Sequence, residues 1–449
     1  MKPSFCSYSF GCRVNHAEKE ELDRQMIKAG YSNTPNLPNN PNLPNTSNIV
    51  IINSCAVTTK AEREVRQLIY QLKRKNPKLK IVVTGCATTN WLKLNRSLKE
   101  ADLLVDNQNK EYLVELIDKK FSHSKKINVE DADLRPVQSS HDHYLRQVLS
   151  STWLRSGRAI IKIQDGCQRF CTYCIVPNLR GKPKSKAVDN IINEINGLNE
   201  NIKEVIFTAI NTEAFGLDTE ESLTELINKT IKQTKLKRIS FGSINPWSLT
   251  DNFFKCYKKN IQTGRMVKYF HVPIQSGSDK ILSLMKRNYT REWLSEALDK
   301  LCKIDPLVFI GTDIILGFLD ETCRDFEDTY KFLEESPISK FHIFRFSKRE
   351  HTAAYYMAKR LKEPDTQTKI KRAKALSDLS KRKYNSFLQE HVNQTFSCLL
   401  LEKKIDEFHE GLLNNQIPIL VKSDNKDIAE IKNVKIIRYK NGRLFGKIV

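Results

Sequence analysis

The sequence predicts an α/β protein in three parts: an N-terminal parallel-sheet α/β domain, a central partial (β/α)6 barrel and a small C-terminal antiparallel β-barrel. Three observations predict it. Short β-branched or aromatic runs alternate with helical periodicities over the first 125 or so residues. The same alternation recurs about six times over the next 230 or so, too few for a closed eightfold barrel. From about Ser386 the pattern changes to short strands without long helices.

Taken in order, Ser4–Phe10, Ile49–Asn53 and Ile81–Thr84 read as buried strands, each bounded by polar or turn residues. Between them, Ala17–Ala29 carries Leu22, Met26 and Ala29 at helical spacing, and Ala61–Lys75 carries Val65, Leu68, Ile69 and Leu72. Strand and helix in alternation imply a parallel sheet, and residues 1–125 read as one domain. Residues 33–48, NTPNLPNNPNLPNTSN, hold PNLPN twice; repeated Pro and Asn bar helix and inner strand, so this is a surface loop. Residues 122–151 are polar and patternless, and 126–150 reads as a linker. The core, 151–385, offers strands at Ala159–Ile163, Glu204–Ala209, Arg238–Phe241, Tyr269–Pro273, Phe309–Leu316 and Lys340–Phe346. In the last part, 386–449, Val434–Lys440 and Arg443–Val449 flank Asn441-Gly442, the pair that fits a type I′ hairpin turn.

Composition bounds the function. Of 449 residues, 40% are hydrophobic and 28% charged, which excludes wholesale disorder. Lys and Arg number 74 against 52 Asp and Glu, a net charge of +22 that favours an anionic partner, nucleic acid or an acidic membrane surface. No run approaches the roughly 18 apolar residues of a spanning helix; the longest, Leu307–Leu319, carries Asp313 at its middle. Met1–Cys12 lacks the apolar core of a signal peptide, so a cytoplasmic location is expected, with no membrane and no DNA among the partners. Eleven cysteines, an odd count, argue for metal or redox use rather than a disulfide framework.

The sharpest motif is Cys167-Gln-Arg-Phe-Cys171-Thr-Tyr-Cys174, directly after the strand Ala159–Ile163. Structural zinc usually takes four ligands, often as two separated pairs. Three thiolates on one loop suit a cubane iron–sulfur cluster that keeps one iron without a protein ligand, open to a substrate. A zinc knuckle is the alternative. A second set, Cys12, Cys55 and Cys86, stands just after three predicted strands. Strand C-termini of a parallel sheet share one edge, where ligands gather, so the fold brings these three together. Cys6 starts its strand, roughly 20 Å from Cys12 along an extended chain, and is expected to be a buried thiol. Cys256, Cys302, Cys323 and Cys398 follow no such pattern and read as structural.

The stretch IKIQDGCQRFCTYCIVPNLRGKPKSK resembles the radical S-adenosylmethionine (SAM) motif of the methylthiotransferase family. The resemblance implies a TIM-like radical SAM barrel in which Cys167, Cys171 and Cys174 hold a [4Fe–4S] cluster. Its open iron would bind SAM, which one electron cleaves to methionine and a 5′-deoxyadenosyl radical; the electron would come from a donor such as flavodoxin or ferredoxin. Phe170 and Tyr173 are expected either to shield the cluster or to pack in the core. GCRVN at Cys12, NSCAVT at Cys55 and TGCAT at Cys86 resemble the family's N-terminal domain, which implies a second [4Fe–4S] cluster carrying the sulfur to be transferred. HVPIQSGSDKILSLMKRNYT resembles the segment near the methionine moiety of SAM, which makes Gln275 and Ser276 candidate SAM contacts; turn capping is the other role open to Ser276. FHIFRFSKREHTAA matches well. DIILGFLDET departs at Leu319, where proline is usual, and TAINTEAFGLD at Ala209, where glycine is usual. The last 60 or so residues resemble the RNA-binding TRAM domain only weakly.

Charge points to the substrate. Lys369–Lys383 holds seven basic residues against Asp378, and Lys435–Lys447 holds five with Tyr439 and Phe445 interleaved, a composition suited to phosphate contact and base stacking. Gly11-Cys12-Arg13-Val14-Asn15 resembles the subgroup acting on threonylcarbamoyladenosine in tRNA; enzymes for isopentenyladenosine or a ribosomal protein carry other pairs between this cysteine and asparagine. The expected reaction is insertion of a methylthio group at C2 of that adenosine, the tRNA anticodon stem-loop docking between the barrel mouth and the C-terminal barrel. A methylthiotransferase acting on isopentenyladenosine in tRNA or on a ribosomal protein, a radical SAM enzyme whose second cluster only relays electrons, and a zinc-binding RNA-binding protein are the other readings.

Overall fold

The computed structural model describes residues 2–34, 47–121 and 156–449. Most of the proline-asparagine loop and the expected linker therefore lie outside the described residues. The chain divides into two compact units, one formed by Met1–Ser151 with Ile175–Lys182, the other by Thr152–Cys174 with Pro183–Val449.

In the first unit, β1 (Ser4–Ser9), β2 (Ser32–Asn33), β3 (Ile49–Ser54), β4 (Lys80–Gly85) and β5 (Leu103–Leu104) form one parallel sheet in the order β2-β1-β3-β4-β5. Alternation along β3 feeds two cores: Val50 and Ile52 pack with Val65, Ile69, Val83 and Trp91 on one face, and Ile49 and Ile51 with Leu22, Met26 and Ile117 on the other. The covering helices are α1 (Arg13–Lys28), α2 (Thr59–Lys75), α3 (Cys86–Lys93) and α4 (Leu113–Phe121). Cys6 is buried in the first of these cores. Residues 175–182, expected in the barrel region, join this unit because Ile175 and Leu179 complete that same core.

The second unit begins with six parallel strands, as expected. β6 (Arg158–Asp165) pairs with β8 (Glu204–Ala209), and β8 with β9 (Arg238–Phe241); β7 (Lys184–Ser185) is an antiparallel edge on β6. β10 (Tyr269–His271), β11 (Phe309–Leu316) and β12 (Lys340–Arg345) continue the series. The Ile239–Met266 bridge joins the two halves, and the barrel stays open. Helices such as Leu223–Gln233, Asp251–Ile261 and Arg291–Ile304 start at Ser222, Thr250 and Thr290, whose hydroxyls accept from the third residue on.

β13 (Thr395–Ile405), β14 (Phe408–Leu413), β15 (Pro418–Val421), β16 (Ile431–Lys440) and β17 (Arg443–Ile448) close a small barrel in the order β13-β14-β15-β17-β16. Its pairings are antiparallel except β15–β17. Asn441 and Gly442 both take positive φ, 51° and 74°, as the I′ turn requires. The boundary expected at 386 falls inside the helix Thr366–Gln389, which runs on because Phe387 and Leu388 still bury against the barrel.

The small barrel joins the core beneath the N-terminal ends of the core strands. Arg238 donates to the Leu412 carbonyl (2.9 Å) and Ser397 Oγ (2.9 Å), while buried Glu204 accepts from Arg158 (3.1 Å), Ser240 (2.8 Å) and Gln416 (3.1 Å). The opposite, C-terminal edge is thereby left for chemistry. Among the described residues the small barrel thus lies at the end of the core strands opposite their C-terminal edge, not beside the barrel mouth as the expected docking site requires. The basic run Lys369–Lys383 is also partly internal, since Arg372 pairs with Glu321, Lys369 with Glu363, and Lys383 with the carbonyls of Glu334 and Ser336. The hairpin run is freer: Lys435, Lys440, Arg443 and Lys447 are exposed, and Arg438 lies 4.6 Å from the Phe445 ring.

Candidate functional site

Cys12, Cys55 and Cys86 all follow central strands of the five-stranded sheet at its C-terminal edge. Close approach depends on glycine. Gly11 has φ +90° and a Cβ there would collide with the Cys55 sulfur; Gly85 has φ +96° and faces the Ser54 carbonyl. Cys12 caps the N-terminus of α1 and Cys86 opens α3, positions where the helix dipole favours a negatively charged sulfur.

A buried polar network surrounds them. Arg180 Nε donates to Cys86 Sγ at 3.3 Å, and Asn107 Nδ2 approaches the same sulfur at 3.6 Å. The Arg180 guanidinium also meets Glu18 (2.8 Å) and Asn15 Oδ1 (2.7 Å), and Lys110 meets Glu18 at 2.7 Å. Asn15 Nδ2 donates to the Phe10 and Ser54 carbonyls (2.8 and 2.9 Å), tying the Cys12 turn to the Cys55 turn. Cys12 keeps solvent contact at its outer edge, yet protein packed around its thiol pushes the pKa up, opposed by the Arg180 charge. Burial pushes Cys55 up to about 12. Such thiols lose their protons when a metal takes them, and N–H donors aimed at sulfur are what a thiolate ligand accepts. The residues thus fit an iron–sulfur cluster.

The second set lies on the loop after β6. Gln164 fixes the loop's start: its Nε2 donates to the Asp165 and Gly166 carbonyls (2.6 and 2.9 Å) and its Oε1 accepts from the Asn211 amide (2.9 Å). The middle is held by Thr172, which donates to the Met285 and Leu284 carbonyls (3.1 and 2.8 Å) and accepts from the Ala354 amide (2.7 Å). Arg287, buried, approaches Cys171 Sγ (3.5 Å) and the Tyr173 hydroxyl (3.5 Å) and donates to the Pro273 carbonyl (2.7 Å) and Tyr289 (2.6 Å). Its guanidinium lies 4.2 Å from the Trp247 ring, and Arg169 lies 4.4 Å from the same ring. The Cys167 sulfur accepts from the Arg169 amide at 3.5 Å, and burial pushes that thiol up. Three thiols with N–H donors on two of them again fit a cluster, with fewer protein ligands than a cubane has irons.

Phe170 is 55% exposed with φ 49°, whereas Tyr173 packs beside Met285 and Phe318. Gln275, also at positive φ (73°), is bound through its backbone to Asp313 and Ile315. Ser276 is buried, its hydroxyl meeting Thr329 (3.2 Å) and accepting from the Ser278 amide (3.2 Å). Cys256 and Cys398 are buried and Cys302 half-buried; Cys323 is exposed at the start of its helix, where Arg372 approaches its sulfur at 3.8 Å. Sequence reasoning missed Glu18, Asn107, Lys110, Arg180 and Arg287. Glu18 stands one turn before Leu22 on the buried face of α1, and that spacing was the available signal.

Residues 161–333 match the family model of the Radical SAM superfamily, and residues 4–106 that of Uncharacterized protein family UPF0004. The chain is 31% identical over 405 residues to the threonylcarbamoyladenosine tRNA methylthiotransferase MtaB of Aquifex aeolicus (strain VF5), covering 90% of this chain and 93% of that protein. It is 30% identical over 465 residues to the tRNA-2-methylthio-N(6)-dimethylallyladenosine synthase of Clostridium perfringens (strain 13 / Type A), covering 100% and 98%. Among solved structures, the cobalamin-dependent SAM radical enzyme OxsB with aqua-cobalamin and SAM bound matches with a TM-score of 0.50 at 13% identity, over 87% of this chain and 56% of that one, a likeness of fold.

Proposed function

The chain belongs to the radical SAM methylthiotransferases, enzymes that use SAM and an iron–sulfur cluster, and from that premise we propose that it inserts a methylthio group at C2 of N6-threonylcarbamoyladenosine beside the anticodon of tRNA. The observation that carries the reading is the pair of three-cysteine sets, each at the C-terminal edge of a parallel sheet with N–H donors on its sulfurs. Cys167, Cys171 and Cys174 would hold one [4Fe–4S] cluster, and Cys12, Cys55 and Cys86 a second. When bound, the clusters and SAM would supply a 5′-deoxyadenosyl radical and the methylthio unit. Gln275 and Ser276 are proposed to line the SAM site, Gln275 by its side chain and Ser276 by holding the turn through Thr329. Arg287 keeps the cysteine loop against the Pro273 carbonyl, and Trp247 and Tyr289 cover its other faces, which excludes water from that side of the loop.

Three features support the substrate. Relatives of the threonylcarbamoyladenosine class match along most of the chain. Arg13 and Val14 stand between Cys12 and Asn15, the wording of that subgroup, while the dimethylallyl class matches at comparable identity and so does not decide the matter. The exposed basic hairpin of β16 and β17 suits RNA phosphates. The adenine must leave its stack to reach the site, as selective RNA recognition generally requires. A cytoplasmic location and a flavodoxin- or ferredoxin-type electron donor complete the reading; among the described residues no helix is long and apolar enough to cross a membrane.

Mass spectrometry of tRNA nucleosides from cells with and without the protein tests this. Loss of the methylthio-threonylcarbamoyl nucleoside is expected; loss of the methylthio-dimethylallyl nucleoside instead would move the enzyme to the other class. Anaerobic metal analysis should give about eight irons per chain, and zinc without iron would end the cluster reading.

A further inference from the structure

The barrel interior holds a polar cluster that the cysteine loops do not use. His271 ends β10, Asp313 lies in β11 and His342 in β12, directly opposite Asp313 in the strand register. Ile310, Ile314 and Leu316 of β11 face the helix-side core, so Asp313 and Ile315 face the interior. Asp313 Oδ1 is shared by His271 Nε2 (3.0 Å) and His342 Nδ1 (3.4 Å), and the two rings lie 5.3 Å apart. The other His271 nitrogen meets Ser243 Oγ at 3.2 Å. His342 is half exposed, and among the described residues no hydrogen bond is made by its Nε2. Phe344, two residues on along the same face of β12, is 42% exposed.

The cluster adjoins the cysteine loop. Arg287, which approaches Cys171, donates to the carbonyl of Pro273, two residues past His271. Burial would raise the Asp313 carboxyl, but the two imidazoles more than offset it and hold it at about 2, so the group is a carboxylate at any working pH and fixes an N–H on each ring toward itself. Asp313 takes the Nδ1 edge of His342, so the Nε2 edge is the one turned to a further acidic partner. An apolar wall at Phe344 beside that edge suits a short chain ending in an acid.

We propose that His342 is a specificity-determining residue, its ring bridging Asp313 at Nδ1 and the free carboxylate of the substrate's N6 substituent at Nε2, with the His271 ring alongside. This rests on the threonylcarbamoyl reading above. SAM also carries a carboxylate, so the test separates the two sources.

The experiment uses the reconstituted full-length enzyme and two anticodon stem-loop RNAs. One bears N6-threonylcarbamoyladenosine; the other bears the methyl ester of its threonyl carboxyl. Wild type should favour the acid by roughly 10-fold or more in kcat/KM, the worth of one charge-assisted hydrogen bond. His342→Phe should erase that preference, the acid-to-ester ratio falling to about 1, while the KM for SAM shows whether the lost contact was to the RNA or to SAM. His342→Gln, whose amide can still donate, should restore part of the preference. Retention of the wild-type acid-to-ester ratio by His342→Phe would overturn the proposal, as would a raised KM for SAM with that ratio intact. Failure of wild type to turn over either RNA would remove the substrate assignment itself, and this inference with it.

Discussion

Cys12, Cys55 and Cys86 stand on three strand ends dozens of residues apart, whereas Cys167, Cys171 and Cys174 share one loop. Each set has an arginine on one sulfur, Arg180 on Cys86 and Arg287 on Cys171, but the arginines are held differently. Arg180 is fixed by a carboxylate and an amide, Glu18 and Asn15, with Lys110 alongside. Arg287 is fixed by a backbone carbonyl, by Tyr289 and by the face of Trp247. The dispersed set is thus a product of the whole sheet and of a buried charge network, while the contiguous set is local, with short tethers from Leu284, Met285 and Ala354. Damage far away in sequence should reach the first set more readily than the second.

The largest test separates the sets outright. Cys171→Ala should lose about half the iron and all SAM cleavage, read as 5′-deoxyadenosine. Cys55→Ala should lose a similar share of iron and all methylthio product, yet keep SAM cleavage measurable. Full product from Cys55→Ala would refute its role as a ligand of the sulfur-donating site.

Next comes the charge network. Arg180→Ala takes a guanidinium from buried Glu18, which keeps Lys110 and the Asn53 amide, and breaking such a pair costs about 3–5 kcal/mol. Chemical unfolding of the cluster-free protein should show a loss near the low end, because Lys110 remains. A loss below about 1 kcal/mol would mean that the pair contributes little to holding the dispersed set.

Gly11→Ala should cost about 1–2 kcal/mol for its left-handed backbone, and more for the collision with the Cys55 sulfur. Iron at the first set should fall while SAM cleavage persists. Equal loss at both sets would contradict their independence.

The last test lies outside both sets and needs acid to be seen. The Asp313 carboxyl has a folded pKa of about 2, below its unfolded value near 3.9. Its stabilisation is therefore complete above about pH 4 and disappears as pH falls toward 2, about 2.5 kcal/mol at most. The stability gap between wild type and Asp313→Asn, followed by acid titration, should close over that window; a constant gap would remove the charge argument for the cluster.

Strands were legible because their apolar runs are short, β-branched and bounded by polar residues: Glu204–Ala209, Arg238–Phe241 and Phe309–Leu316 fall where the pattern puts them. The placement of Cys12, Cys55 and Cys86 on one edge followed from parallel topology alone. Arg180 and Arg287 were hidden because a cation's partners depend on tertiary contact: nothing in VPNLRGK says that Arg180 turns toward Glu18, which precedes it by more than a hundred residues. The same limit concealed how Lys369, Arg372 and Lys383 are bound internally, since a run of charge looks alike whether solvated or paired.

Ile175–Lys182 packs with the first unit although it follows the third cysteine of the loop in the second. A truncation after residue 121 or 151 would strip Leu179 from its seat and leave the Glu18 carboxylate without its guanidinium. The two halves are therefore poor material for recombination: neither can be excised at the obvious junction and transplanted without carrying a splinter of the other, and a gene fusion joining foreign versions would have to bring matching copies of both.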